Sequence, residues 1–151
     1  GEIARSGNLC TELYQKLNEL DYYKLITPKS LGREWLEGSF LPILDKFAIT
    51  TEDKLNTICN HIAYQIVKST ESLQSRKILI TGGGGYNSYL IELIKNKSKH
   101  QVVIPEKQIV EYKEALIFAF LGLLKINNQI NCLASVTGAQ RDSCCGVIYN
   151  P

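Results

Sequence analysis

The sequence lacks methionine altogether and has no apolar stretch long enough to cross a bilayer. Its longest apolar run, residues 115–124, falls well short of the about 20 residues that a transmembrane helix needs. The opening residues contain no hydrophobic core of the kind that a signal peptide requires. These absences exclude a membrane-spanning class and predict a cytoplasmic location.

Histidine is scarce, and the two that occur stand far apart. His61 lies beside an apolar helical pattern and is predicted to sit on the helix surface, while His100 falls in a basic stretch that is typical of a solvated loop. Neither has a neighbouring cluster of metal-ligating or nucleophilic residues. The sequence therefore predicts neither a metal site nor histidine-based nucleophilic catalysis.

The five cysteines form no Cys-x-x-Cys pair, and their number is odd. This pattern implies neither a disulfide framework nor a zinc site. Cys10 and Cys59 fall on apolar helical positions and are predicted to be small core residues. The adjacent Cys144 and Cys145 are either a redox-active pair or two thiols in a loop, and the second interpretation is favoured.

The sequence also lacks a large excess of either charge, since the net charge is only +2 and the lysines are scattered. The sequence contains no basic stripe with interleaved aromatic residues, so it does not indicate nucleic-acid binding. The 151 residues suffice for one domain with a hydrophobic core. Because residues 1–5 resemble the end of a hairpin strand and no initiator methionine precedes them, we expect a piece of a longer protein.

Helical periodicity dominates the first half of the chain. Leucines at positions 9, 13, 17 and 20 predict an amphipathic helix. Pro42 is expected to kink or split the segment 35–47. Thr50 or Thr51 is expected to cap a further helix. The predicted apolar face of that helix consists of Leu55, Ile58, Cys59, Ile62, Ile66 and Val67.

The most informative stretch is residues 78–87, in which three apolar residues precede Thr81 and four consecutive glycines. The pattern predicts a short buried strand, a glycine turn and then a helix over residues 89–95. A turn without Cβ atoms lets a ligand lie against the main chain, and the helix N-terminus beyond it offers unpaired N–H groups. The arrangement is typical of nucleotide sites.

Known phosphate-binding fingerprints do not fit this stretch closely. No Gly-Lys-Ser/Thr follows, so it is not a Walker P-loop. Gly82 and Gly84 match a dinucleotide fingerprint, but Asn87 stands where the third glycine belongs, and no suitable acidic residue follows about 20 residues on. A tight turn without a ligand remains the alternative.

The remaining segments complete an α/β pattern in which helix predominates. Residues 101–105 are predicted to form a second strand, and residues 108–125 a long helix that is apolar nearly all round and hence buried at the centre. Glu114 either complements the dipole of that helix or points into a ligand cleft. Residues 132–137 form an edge strand or a loop. Alternating strands and helices predict a small parallel sheet, whose other strands should lie upstream.

Four segments, taken together, resemble the C-terminal part of the anhydro-N-acetylmuramic acid kinases. They are Pro-Lys-Ser-Leu-Gly-Arg-Glu at residues 28–34, Gly-Gly-Gly-Gly-Tyr-Asn at 82–87, Lys-Glu-Ala-Leu-Ile-Phe-Ala at 113–119 and Ser-Val-Thr-Gly-Ala at 135–139. Each motif is weak by itself, but their order and spacing match over essentially the whole chain. The resemblance assigns no role to Lys29, Ser30 or Arg33.

The resemblance implies the C-terminal lobe of a two-lobed sugar kinase with a ribonuclease-H-like, actin-like ATPase fold. Such bacterial enzymes use ATP and Mg²⁺ to open the 1,6-anhydro ring of a cell-wall sugar with water while phosphorylating its 6-oxygen, and they can dimerise. By the same resemblance, Gly82, Gly83, Gly84 and Asn87 form the adenosine side of the nucleotide site. Glu114 lines the sugar cleft.

The family's phosphate-binding loop of Asp-Gly-Thr-Ser type and its general-base aspartate are absent from this sequence. Most Mg²⁺ ligands are expected in the missing part too. Since phosphoryl transfer depends on positioning and charge stabilisation, we expect this chain to be inactive alone. The alternative is a stand-alone, non-catalytic nucleotide-binding or interaction module.

Overall fold

The computed structural model describes residues 1–26 and 29–149, and it divides the chain into two compact units, residues 1–104 and the residues from Pro105 on. Helices predominate, and the sheet found in the described part of the chain has two parallel strands. The predicted helix-rich α/β class with a small parallel sheet is therefore confirmed. Pro28, the first residue of the polar motif at 28–34, lies outside the described residues.

The elements of the two units follow in chain order. The first unit contains α1 (Glu2–Ser6), α2 (Thr11–Asn18), a 3₁₀ turn (Asp21–Lys24), α3 (Arg33–Trp35), a π-helical turn (Leu36–Phe40), α4 (Leu41–Asp45), α5 (Thr51–Thr70), β1 (Lys77–Leu79), a second 3₁₀ turn (Gly83–Tyr86), α6 (Ser88–Lys97) and β2 (Gln101–Val103). The second unit contains α7 (Lys107–Ile126) and α8 (Ala134–Thr137).

Helix α5 organises the first unit, because α1, α2 and α6 all pack against it. Its N-terminus is capped as predicted, since the Thr50 hydroxyl accepts a hydrogen bond from the Asp53 amide at 3.1 Å. Helix α2 confirms the predicted amphipathic helix and buries Leu13 and Leu17 completely. These leucines join Phe40 and Leu44 in the main hydrophobic cluster.

The buried face of α5 is more polar than the sequence pattern predicted. Asn56, Thr57 and His61 are buried, whereas Ile62 is exposed and the other predicted isoleucines are half-buried. The Thr57 hydroxyl accepts from the Cys10 amide at 2.9 Å and donates to the Asp53 carbonyl at 2.7 Å. Polar residues occupy this face because the neighbouring loop presents backbone groups that need partners. Cys59 is buried as predicted, and Cys10 is half-buried just before α2.

The predicted strand at residues 1–5 is wrong, because Glu2–Ser6 forms helix α1. Ala4 in this helix is buried. The Asn56 side-chain amide nitrogen donates to the Ala4 carbonyl at 3.0 Å and to the Gly7 carbonyl at 2.8 Å. These bonds tie the C-terminal end of α1 to helix α5. A tertiary contact about 50 residues away in sequence thus fixes the local structure.

Both histidines were predicted to be exposed, and both are buried. His61 is held by the Asn18 side-chain oxygen at 2.8 Å and the Tyr23 hydroxyl at 2.9 Å, and burial lowers its pKa to about 4. His100 accepts from the Arg76 amide at 3.0 Å, and its other ring nitrogen lies 3.0 Å from the Thr70 carbonyl. Each histidine therefore satisfies polar groups inside the first unit.

Pro42 divides the segment 35–47 as predicted. It lies in the first turn of α4, where a missing N–H group costs nothing, directly after the π-helical turn. Phe40 at the end of that turn is buried. The helix changes from π-helical to α-helical between Phe40 and Leu41, and Phe40 and Leu44 on either side of this change pack with Leu13 and Leu17.

The two predicted strands pair in parallel, with Ile78 opposite Val102. The Ile80 amide extends the ladder by donating to the Val103 carbonyl at 2.9 Å. The prediction that the first strand is buried is wrong, since Leu79 is 61% exposed. Side chains project from the faces of a sheet, so the exposure of Leu79 means that no described element covers its face.

Helix α7 has the predicted extent, but the prediction that it is a buried central helix is wrong. Leu116, Phe118 and Phe120 are 62%, 70% and 56% exposed. Within residues 105–149, Val110 is the only buried residue. Residues 105–149 supply little besides α7 and the short α8, so no layer among them covers the apolar surface.

Candidate functional site

The glycine turn between β1 and α6 has the predicted strand–turn–helix form. Gly82 adopts a φ of 81°, a left-handed conformation that a side chain would strain. The Gly85 amide donates to the Gly82 carbonyl at 3.0 Å, and the Asn87 amide donates to the Gly84 carbonyl at 3.1 Å. Gly82 therefore has a conformational reason to be glycine.

Gly83 and Gly84 have no such internal reason. Gly83 and Gly84 are both exposed, and a Cβ atom built on either would have no heavy atom within 4 Å. Neither has a positive φ. Gly85 differs from them, because it is buried and a Cβ there would make ordinary contact with Ile80. The bare main chain at 83 and 84 is thus open to a group from outside the first unit.

Asn87 caps the helix that follows the turn. Its side-chain oxygen accepts from the Leu90 amide at 3.1 Å, and its amide nitrogen lies 3.8 Å from the Cys59 sulfur. Burial raises the pKa of the Cys59 thiol, and the Asn87 hydrogen bond opposes this rise. Asn87 therefore caps α6, and the N-terminus of α6 lies directly after the glycine turn.

A cavity of about 530 Å³ lies next to the turn, within the usual size range of small-molecule pockets. It starts at Gly85 and Tyr86 and runs along α6, and Gly82, Gly83 and Gly84 do not line it. Its charged lining residues are Glu92 and Lys95. The Arg5 guanidinium binds the Glu92 carboxylate at 2.7 Å, and this hydrogen bond raises the pKa of Arg5.

Sequence reasoning missed the lining residues of α6. They are Ser88, Ile91, Glu92, Lys95 and Asn96. Their spacing of three and four residues is a signal that would have placed them on one helix face. The cavity thus lies beside the predicted turn and is lined by both a positively and a negatively charged side chain.

Glu114 lies on α7, in the second unit, and is exposed. The motif at residues 135–139 is in the same unit, where it forms most of α8 and its C-terminal turn. Gly138 ends α8 with a φ of 73°, and the Asp142 carboxylate accepts from the Ala134 amide at 2.7 Å. The predicted edge strand or loop at 132–137 is therefore a single bridging residue, Cys132, followed by a short helix.

The polar motif that follows Pro28 is held by local contacts. The Lys29 ammonium lies 3.2 Å from the Tyr22 carbonyl and 4.7 Å from the centre of the Tyr22 ring. The Arg33 guanidinium pairs with the Glu37 carboxylate at 2.6 Å. These contacts give Lys29 and Arg33 structural partners in the first unit.

Two features are absent from the described residues. No group of three or more histidine, cysteine, aspartate or glutamate side chains is arranged there to hold a metal ion. No described helix is long and apolar enough to cross a membrane.

A family model described as anhydro-N-acetylmuramic acid kinase matches residues 1–151, which is the whole chain. The chain belongs to the anhydro-N-acetylmuramic acid kinase family. This membership confirms the resemblance that the four sequence motifs indicated.

Curated members of the anhydro-N-acetylmuramic acid kinase family show how much of a relative the chain represents. It is 32% identical to the kinase of Actinobacillus pleuropneumoniae serotype 7 over 98% of this chain and 42% of that relative. It is 31% identical to the kinases of Caldanaerobacter subterraneus and Vibrio cholerae, again over 98% of this chain and over 40% and 42% of those relatives. The chain therefore spans about two fifths of the length of these kinases.

Proposed function

We propose that this chain is the C-terminal lobe of an ATP-dependent kinase that opens the 1,6-anhydro ring of anhydro-N-acetylmuramic acid and phosphorylates its 6-oxygen. The lobe belongs to a ribonuclease-H-like fold of the actin-like ATPase type and works in the bacterial cytoplasm. Family membership supports the reaction class. The missing phosphate-binding loop supports the assignment to the C-terminal part.

The observation that carries the proposal is the open space at Gly83 and Gly84. Glycine has an entropic cost, and these two positions need it neither for φ nor for packing within the unit. A nucleotide that lies against the main chain supplies the reason. Gly82 shapes the turn, Asn87 anchors the helix behind it, and together they form the adenosine side of the site.

ATP fits this surface, since its backbone is bare and the N-terminus of the ten-residue α6 adjoins it. Bound ATP supplies the phosphoryl group. The described residues contain no cluster of side chains that could hold Mg²⁺. We therefore assign its protein ligands to the rest of the kinase. A half-site of this kind binds nucleotide weakly, because one wall of the cleft is missing.

Gly84→Val in the complete kinase tests the nucleotide site. A Cβ atom at 84 would have no heavy atom within 4 Å and Gly84 is exposed, so we expect valine there to leave the fold intact. It would occupy the space of the ligand, and we expect ATP affinity to fall at least tenfold. Titration with a fluorescent ATP analogue measures the change.

Gly38→Val is the matched control, because Gly38 is also exposed, would have no atom within 4 Å of an added Cβ and lies away from the turn. The control should retain affinity. Equal affinities of the two variants would contradict the nucleotide assignment. Tight nucleotide binding by the 151-residue chain alone would instead support a stand-alone binding module.

Glu114→Ala in the complete kinase tests the sugar cleft. If Glu114 contacts the sugar, turnover should fall by a factor of about ten or more while the melting temperature changes little, since Glu114 is exposed. Glu111→Ala, one turn earlier on α7, is the control and should affect turnover much less. Unchanged turnover in the Glu114 variant would leave Glu114 with only a helix-surface role.

A further inference from the structure

Two of the five cysteines, Cys132 and Cys145, lie at or beside a β-bridge in the second unit, which contains none of the elements of the proposed nucleotide site. Cys132 and Ser143 exchange both backbone hydrogen bonds of an antiparallel bridge, at 3.0 and 2.9 Å. Cys145 follows two residues after Ser143, so it is the diagonal neighbour of Cys132 on the same face. Its sulfur lies 3.2 Å from the Ser143 hydroxyl.

Asn131, which precedes Cys132, holds Cys145 in this position from the other side of the bridge. The Cys145 amide donates to the Asn131 side-chain oxygen at 2.7 Å, and the Asn131 amide nitrogen donates to the Cys145 carbonyl at 3.1 Å. Two bonds to one side chain fix the backbone of Cys145 beside the bridge. The segment is therefore ordered although Cys145 itself is exposed.

The surroundings of Cys145 favour its thiolate. Hydrogen bonding with Ser143 and then with Cys132 lowers the pKa of the Cys145 thiol, and the positive charge of Lys125 contributes. Cys145 and Lys125 also line a groove of about 370 Å³ in this unit. Thiolate character and access are the properties that make a cysteine sensitive to oxidation.

We propose that Cys145 and Cys132 form a dithiol pair that hydrogen peroxide oxidises reversibly to a disulfide. The Cys145 thiolate attacks one peroxide oxygen, the O–O bond breaks, and a sulfenic acid and hydroxide form. The Cys132 thiolate then attacks the Cys145 sulfur and displaces the second hydroxide. The two thiol protons convert the hydroxides into water, so both sulfurs are oxidised and one peroxide is reduced to two waters.

The disulfide would close a loop around α8, because residues 133–144 lie between the two cysteines. The loop contains the Ser-Val-Thr-Gly-Ala motif at 135–139 that resembles the family's. Oxidation would draw Cys145 toward Cys132 and restrict the motif between them. A small thiol reductant would reverse the bond by exchange.

Arg141 lies between the two cysteines and makes the bond easy to detect. Trypsin cleaves after Lys125 and Arg141, which separates Cys132 and Cys145 into two peptides. After treatment of the 151-residue chain with hydrogen peroxide and alkylation of remaining thiols, we expect these peptides to be joined until reductant is added. Mass spectrometry identifies the pair.

Three variants decide which sulfurs react. Cys145→Ser and Cys132→Ser should each abolish the joined peptides, and Cys144→Ser should retain them. In Cys132→Ser, a sulfenic-acid trap such as dimedone should label Cys145 at least tenfold more than Cys144. Joined peptides that persist in Cys145→Ser, or their absence from the oxidised wild-type chain, would overturn the proposal.

Discussion

The two units of this chain contain helices of equal length that have opposite environments. Helix α5 has 20 residues and α7 has 20 residues. Helix α5 is the less apolar of the two, yet it lies at the centre of the first unit and buries Cys59, His61 and Ala63. Helix α7 is the more apolar, yet most of its large side chains are exposed. Burial thus depends on what packs against a helix rather than on its own composition.

The largest expected effect comes from truncating a leucine in each unit. Leu17→Ala removes a completely buried side chain from the main cluster and should cost about 2–5 kcal/mol of unfolding free energy. Leu116→Ala removes the same atoms from a side chain that is 62% exposed, and should change stability by less than about 0.5 kcal/mol. Urea denaturation of the chain compares the two, and equal losses would mean that α7 is covered in solution.

The second prediction concerns the polar interior of the first unit. Because the pKa of His61 falls to about 4 in the folded state, the unfolded chain binds the extra proton between pH 6.5 and pH 4. The contribution of His61 to the free energy of unfolding is therefore complete above about pH 6.5. It is lost as the pH falls toward 4, by about 3 kcal/mol in total.

Unfolding by urea at several pH values between about 5 and 7.5 measures this dependence. His61→Gln removes the titrating group, so the difference between wild type and variant isolates its contribution from that of the carboxylates. A difference that stays constant over this pH range would show that His61 is not held neutral by burial.

The smallest expected effect compares the starts of the two long helices. Thr50→Ala removes a side-chain cap from α5 and should cost about 1 kcal/mol. Glu106 precedes α7 without a side-chain capping bond, so Glu106→Ala should cost little. Thermal unfolding followed by circular dichroism distinguishes them, and a greater loss for the Glu106 variant would reverse the ranking of the two caps.

Local chemistry explains which parts of the fold the sequence predicts well. The Thr50 cap, the change of helix type at Pro42 and the glycine turn after β1 depend on residues that are neighbours in the chain. The same holds for the extent of α6 and α7 and for the positions of the two strands, although their pairing joins residues far apart in sequence. The predicted roles of Gly82, Gly83, Gly84, Asn87 and Glu114 in ligand binding stay predictions, because they depend on groups outside this chain.

The sequence by itself determined the family, the helical periodicity and the glycine turn, since these reside in residue order and short-range sterics. Only the tertiary structure decided that residues 1–5 form a helix, that His61 and His100 are buried and that α7 is not. The deciding partner of α1 and of His61 is distant in sequence, namely Asn56 for α1 and Asn18 for His61. For α7, residues 105–149 offer no covering layer. A residue pattern records how apolar a segment is, whereas burial requires a complementary surface that only folding supplies.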